Sequence, residues 1–205
     1  MLDEAGLTDC KITVSNALDE YLIRDLISQG ACIDSFGVGE RLITSKAEPV
    51  FGGVYKIAAV EDKDGNVIPK MKISDSVGKV TNPCNKEIVR FYDKATGKAL
   101  ADVLMVVGEE IPDGEPYEIF DPNATWKSKT LVDYTTKKLL VQIFEHGKLV
   151  YEKPSIKEIR DYCTKELDSL WDSIKRFENP HNYYVDLSPK LWKIKDDILR
   201  SYKHR

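Results

Sequence analysis

The 205 residues hold only four cysteines and three histidines, and they contain no long apolar run. Each scarcity removes a class of function. Cys10, Cys32, Cys84 and Cys163 lie far apart, form no C-x-x-C pair and offer no disulfide framework. Thiols in a reducing cytoplasm are the expectation. His146, His181 and His204 have no Cys, His or acidic partner at metal-ligand spacing, so surface histidines and no metal site are expected. No apolar stretch approaches the ~20 residues of a membrane span. The acidic start, Met1-Leu2-Asp3-Glu4, lacks the cationic head and apolar core of a signal peptide. Excess positive charge is also missing. The formal net charge is −4, which argues against a general nucleic-acid binder. There is no internal repeat and no low-complexity segment.

What remains is an evenly charged, soluble chain, 42% hydrophobic and 31% charged, long enough for one large domain or two small ones. Its most informative feature is a pair of loops. Lys11-Ile12-Thr13-Val14 reads as a short buried strand and runs into Ser15-Asn16. Leu18, Leu22, Ile23, Leu26 and Ile27 then recur at helical spacing, with Gly30 as the stop. Cys32 to Phe36 reads as a second strand, running into Gly37-Val38-Gly39. A right-handed crossover makes the two strands parallel neighbours, so both loops lie on one sheet edge. Amides at Asn16 and at Gly37, Val38 and Gly39 then converge on one anion, with glycine admitting φ > 0 and close backbone approach. The bland alternatives are a tight turn at Gly-Val-Gly and a plain helix cap at Ser15 or Asn16. Asp19 and Glu20 read as first-turn carboxylates that complement the helix dipole. Two further residues are auxiliary candidates. Asp34 either meets ribose hydroxyls or is solvated or bonded to backbone. Arg41 either pairs with a phosphate or is turned away by strand alternation.

Downstream, three hairpins are expected around Asp64-Gly65-Asn66, Ala95-Thr96-Gly97-Lys98 and His146-Gly147. Gly108 to Asn123 reads as a loop with a short strand at Tyr117 to Phe120. Ser155-Ile156-Lys157-Glu158 is a capping box that opens a helix running to Asn179-Pro180. Ser188-Pro189 opens another, with Leu191, Ile194, Ile198 and Leu199 as its apolar stripe.

Taken together, Ser15-Asn16-x-Leu18-Asp19-Glu20, Gly30-Ala31-x-Ile33-Asp34-Ser35-Phe36-Gly37-Val38-Gly39, and Pro49-x-x-Gly52-Gly53-Val54-Tyr55-Lys56 resemble the nicotinate phosphoribosyltransferase family. Gly147-Lys148-Leu149-Val150-Tyr151-Glu152, Leu167-Asp168-Ser169-Leu170-Trp171, Asn179-Pro180 and Val185-Asp186-Leu187-Ser188 extend the resemblance almost to the end. Members of that family are roughly twice this length, so the resemblance is to their C-terminal portion, and the chain is expected to be a fragment.

The implied fold is α/β plus β. Residues 1–46 are the last strands of a type II phosphoribosyltransferase α/β barrel with its phosphate-binding loops. Residues 47–150 are a β-rich, sandwich-like segment, and residues 151–205 are C-terminal helices. The implied phosphate-binding residues are Ser15, Asn16, Gly37, Val38 and Gly39, with no catalytic residue on this chain. Ala17 and Glu40 depart from the Asp or Asn and the Thr of many relatives. A contact through the first side chain is then lost, and the Glu40 carboxylate should point away from the anion.

The implied function is the C-terminal part of an enzyme of NAD biosynthesis. It joins nicotinate to phosphoribosyl pyrophosphate, with ATP hydrolysed through a phosphohistidine that lies upstream. Mg2+ and ATP serve the intact enzyme, and neither is bound tightly by this chain. The expected partners are the missing N-terminal half and, when intact, a second copy in a homodimer. No nucleic acid or membrane is expected, and the location is cytoplasmic. Two alternatives stay open: a related nicotinamide or quinolinate phosphoribosyltransferase, and a non-catalytic phosphate-binding or interaction module.

Overall fold

The computed structural model describes residues 1–50 and 52–203, so His204 lies outside the described residues. Two compact units are present, Met1–Tyr55 and Lys56–Arg205. The first holds β1 (Thr13–Ser15), α1 (Glu20–Ser28), β2 (Ser35–Gly37) and the single-turn helix α2 (Glu40–Ile43). β1 and β2 pair in parallel, Thr13 with Ser35 and Ser15 with Gly37, which is the strand–helix–strand order the apolar spacing predicts. The N-cap of α1 is Asp19, not Ser15 or Asn16, and its carboxylate accepts from the Leu22 amide at 2.9 Å. Asp19 displaces the earlier residues because Asn16 and Ala17 both take left-handed φ (96° and 49°), which carries the chain past the strand end before the helix starts. Arg41-Leu42-Ile43-Thr44, apolar in sequence, is mostly helix α2 with Leu42 and Ile43 exposed.

The second unit holds β3 (Ala59–Glu61), β4 (Val67–Pro69), β5 (Lys86–Asp93), β6 (Ala99–Val106), β7 (Tyr117–Phe120), β8 (Ser128–Leu131), β9 (Tyr134–Lys138), β10 (Phe144–Glu145), β11 (Lys148–Leu149), α3 (Ile156–Ser169), β12 (Val185–Leu187) and α4 (Pro189–Lys203). All three expected hairpins form: β3–β4, β5–β6 and β10–β11. At the last tip His146 and Gly147 both have positive φ (46° and 78°), as a two-residue turn matched to strand twist requires.

The core strands make one six-stranded sheet, β8-β7-β12-β6-β5-β9. β8 and β9 are its opposite edges, yet only Val132 and Asp133 separate them in sequence. A sheet whose edges are joined by two residues must roll up until they meet. Phe91 on β5 and Tyr117 on β7 show the roll directly. In a flat sheet three strand intervals would set them about 14 Å apart, but their rings stack at 5.3 Å. The expected sandwich-like segment is therefore one curled sheet. Inside it lie Val89, Phe91, Ala101, Val103, Met105, Ile119 and Leu131, all buried. Outside, Leu187 of β12 packs on Leu191 of α4, and Phe120 stacks on Trp192 at 4.6 Å.

Two further expectations give way here. The boundary at residue 150 does not divide the fold, because β12 is inserted between β6 (parallel) and β7 (antiparallel) in the middle of the sheet. The observed division instead falls between Tyr55 and Lys56. α3 keeps its capping box, but it ends at Ser169 instead of Asn179. The Lys98 amine binds the carbonyls of Asp168 (2.7 Å) and Leu170 (3.2 Å), and the Trp171 indole donates to the Ala99 carbonyl (3.1 Å). The β5–β6 turn thus offers the helix end better partners than another helical turn would.

Tyr117 carries a pH consequence. It is 5% exposed, and its hydroxyl donates to Glu109 Oε1 at 3.3 Å. Burial, then the Glu109 charge, push its pKa above the ordinary 10.0. The unfolded chain therefore loses this proton first as pH rises past 10. The tyrosine's contribution is intact below that pH and lost above it, at up to about 1.4 kcal/mol per pH unit. Urea unfolding at pH 9 and pH 11 should show a smaller alkaline loss for Tyr117→Phe than for the parent; equal losses would refute this.

Candidate phosphate site

The two loops meet. The C-terminal ends of β1 and β2 and the chain beyond them enclose a cavity of about 360 Å³ lined by Ser15, Asn16, Ala17, Leu18, Gly37, Gly39, Glu40, Arg41 and Lys46. Of the five phosphate-binding residues expected, Ser15, Asn16, Gly37 and Gly39 line it. Val38 instead lines an adjoining cavity of about 290 Å³, together with Asp19, Arg41 and Lys46. Two glycines matter, but not through φ > 0. A Cβ on Gly37 would fall 3.0 Å from the Ser15 Cβ, so the close approach of the strand ends favours glycine there. At Gly39, the N-cap of α2 with φ −113°, a Cβ would meet nothing within 4 Å and would project into open space. The left-handed positions of the cradle are Asn16 and Ala17.

The auxiliary candidates sit differently. Asp34 precedes β2 at the opposite end of the strands. Its Oδ2 accepts from the Ile12 amide at 2.8 Å and its Oδ1 lies 3.5 Å from the Lys11 amine. The Ile12 amide, and then Lys11, hold its carboxyl below the usual carboxylate range. It is committed to backbone about 10 Å from Gly37 along the strand, so a ribose contact from Asp34 is out of reach of this cavity. Arg41 does line the cavity, but its guanidinium is ion-paired with Asp19. Asp19 in turn is held ionised, first by the Leu22 amide and further by Arg41. A carboxylate therefore closes the N-terminus of α1, and this helix end does not serve as the anion site.

Lys46 is the cation that sequence reasoning missed. It borders both cavities, and no ion pair or hydrogen bond of its side chain is recorded among the described residues. The signal that would have found it is its place just beyond α2, where Ser45 takes a left-handed φ of 47° and turns the chain back. With Arg41 matched by Asp19, the cavity pairs one free ammonium, Lys46, with one carboxylate, Glu40. Among the described residues no group of three His, Cys, Asp or Glu side chains could hold a metal ion. No helix of the described residues is long and apolar enough to cross a membrane.

Comparison with known proteins places the chain among its relatives. The family profile described as "Nicotinate phosphoribosyltransferase C-terminal domain" matches residues 85–195. The nicotinate phosphoribosyltransferase of Bacillus subtilis (strain 168) is 38% identical over 205 residues, covering 100% of this chain and 42% of that protein. The human nicotinate phosphoribosyltransferase is 30% identical over 181 residues, covering 88% of this chain and 32% of that one. The crystal structure of human nicotinic acid phosphoribosyltransferase superposes with a TM-score of 0.71 at 25% identity, over 95% of this chain and 34% of that chain. The chain thus spans less than half the length of these relatives.

Proposed function

The chain belongs to the nicotinate phosphoribosyltransferase family, and from that premise we propose that it holds the 5′-phosphate of phosphoribosyl pyrophosphate for a larger enzyme that makes nicotinate mononucleotide. One observation carries the reading. The loops after β1 and β2 line a single cavity that a free lysine, Lys46, also borders. Loop amides and the ammonium would bind the phosphate, while Glu40 turns aside. Binding energy at this remote group orients the anomeric carbon toward the nicotinate nitrogen, and the gain appears in the rate of transfer as well as in affinity. In this reading β1 and β2 are the last strands of an α/β barrel whose remainder supplies the base pocket. The Mg2+ and ATP of the intact enzyme would act there, and this chain's residues take no step through them.

Gly39 provides the test. A Cβ at Gly39 meets nothing within 4 Å, so Gly39→Val should fill the space meant for the phosphate, although φ −113° and ψ −113° lie outside the regions open to L-residues and the loop is strained as well. In the reassembled enzyme, phosphoribosyl pyrophosphate affinity measured by calorimetry should fall at least about tenfold, a loss of about 1.4 kcal/mol. Glu40→Thr should leave affinity unchanged or improve it, since it removes a negative charge near the anion. Full affinity in Gly39→Val would sink the assignment.

A further inference from the structure

A second cavity, of about 650 Å³, lies in the Lys56–Arg205 unit, at the mouth of the curled sheet. Asp186 of β12 lines it. This residue belongs to the Val185-Asp186-Leu187-Ser188 motif, and the phosphate site makes no use of it. Strand pairing fixes where its side chain points. Asp186 is aligned with Val103 of β6, a residue of the buried interior, while Leu187 faces α4. Leu187 also pairs antiparallel with Phe120. One residue further along that register, Asp186 stands opposite Asp121, which lines the same cavity.

Two carboxylates directly opposite each other on one sheet face repel. Asp186 is 7% exposed, and its carboxylate has no hydrogen bond or ion pair among the described residues. Its oxygens are not sealed off, since no buried side-chain oxygen lacks a partner among the described residues, so what exposure it keeps is toward the cavity. Asp121 spends Oδ1 on the amides of Asn123 (2.7 Å) and Ala124 (3.0 Å), which leaves Oδ2. Of the cations around the pair, Lys127 lines the cavity, Lys129 acts on Asp186 while its amine lies 4.0 Å above the ring of Tyr184, and Lys195 near Asp121 spends its amine on Asn82 and the Pro122 carbonyl. A buried acid without a hydrogen bond, beside a second acid, in a space the size of a small molecule, can take N–H donors with positive charge.

We propose that Asp121 and Asp186 bind a small guanidinium-bearing molecule in this cavity. The planar guanidinium offers several N–H donors in fixed directions. It can therefore reach carboxylates on two adjacent strands at once, which an ammonium point charge does less well. A divalent metal is disfavoured because, although His181 also lines the cavity, no group of three His, Cys, Asp or Glu side chains among the described residues could hold one. Burial, then Asp121, raise the Asp186 pKa, and a bound cation would relieve both causes.

Agmatine is the probe. Titrated into the chain at millimolar concentration and followed by ¹H–¹⁵N correlation spectra, it should give saturable shifts at Asn123, Ala124 and Asp186. Asp186→Asn should weaken binding at least about tenfold while melting at the same temperature or higher, because it removes one of two facing charges. Asp121→Asn keeps the acceptor for the 121–124 turn and should weaken binding likewise, which gives an independent reading if the first variant folds poorly. Absence of saturable shifts, binding that both variants retain, or the same Asp186-dependent shifts with magnesium chloride alone would each overturn the proposal.

Discussion

Incubated alone with nicotinate, phosphoribosyl pyrophosphate, ATP and magnesium, the 205-residue chain is expected to form no nicotinate mononucleotide. Turnover is expected to return only when the part of the family protein that this chain does not span is added. The chain matches 42% of the Bacillus subtilis relative. Its candidate site holds two strand-end loops and one free lysine, with no histidine among the lining residues. A cradle for a remote phosphate supplies orientation, and orientation has nothing to act on without a base pocket and a phosphorylated group. The Met1–Tyr55 unit is also thin. Leu18 is its one buried hydrophobic residue among those described, and α1 buries none of its side chains. An apolar helix face of this kind needs cover, which the proposed remainder of the enzyme would supply, so activity and order in this unit should return together. The measurement is product formation by the pure chain, then by the chain with the complementary half. Turnover on the order of 1 per second by the pure chain, ordinary for an enzyme, would refute the reading. No activity from the mixture, with both pieces folded, would favour a non-catalytic module.

The sequence announces features governed by local chemistry. The three hairpins follow from residues at their tips, such as His146-Gly147 with both φ values positive. The strand Tyr117–Phe120 and the capping box at Ser155 and Glu158 form where they are expected. The two loops of the phosphate site are legible because one helix between two short strands admits a single handedness.

Features governed by distant partners are not legible. β12 is three residues long and inserts between strands formed more than sixty positions earlier, so nothing in Val185-Asp186-Leu187 marks it as central. β9, Tyr-Thr-Thr-Lys-Lys, is a mostly exposed edge strand without apolar alternation. α4 carries Lys195 within its apolar stripe, 2% exposed. The lysine is tolerated because its amine reaches Asn82 Oδ1 (2.8 Å) and the Pro122 carbonyl (2.6 Å). The apolar residues of α3 do not form a buried face: Ile156, Ile159, Tyr162 and Leu167 are exposed, and the helix is held through Glu166 instead. Arg41 and Asp34 were ambiguous for the same reason: the partner that claims each side chain is about twenty residues away.

That hold on α3 gives the largest expected change in stability. Arg90 of β5 grips Asp102 of the neighbouring strand with two bonds, 2.7 Å from Nε and 2.9 Å from Nη2, and reaches Glu166 of α3 with a third at 2.8 Å. Tyr183 donates to the same Asp102 at 2.8 Å, and Lys137 pairs with Glu166 at 2.7 Å. The side chains of Arg90, Asp102 and Glu166 are 17%, 13% and 16% exposed, so solvent screens this cluster poorly. Replacing Arg90 with Met preserves most of the apolar stem but leaves two partly buried carboxylates short of charge. The expected cost is about 3 kcal/mol or more, because the remaining charges keep their desolvation penalty and lose their compensation. Arg90→Lys should recover only part of it, since an ammonium cannot make the two parallel bonds to Asp102. The sharper variant is Arg90→Met with Asp102→Asn, which removes one stranded charge and should be more stable than Arg90→Met alone. Urea unfolding of the parent, Arg90→Met, Asp102→Asn and the double variant, followed by tryptophan fluorescence and circular dichroism, gives the cycle, with Arg90→Lys measured beside them. If Arg90→Met cost less than about 1 kcal/mol, the value of an exposed surface pair, this cluster would not be what fastens α3 to the sheet.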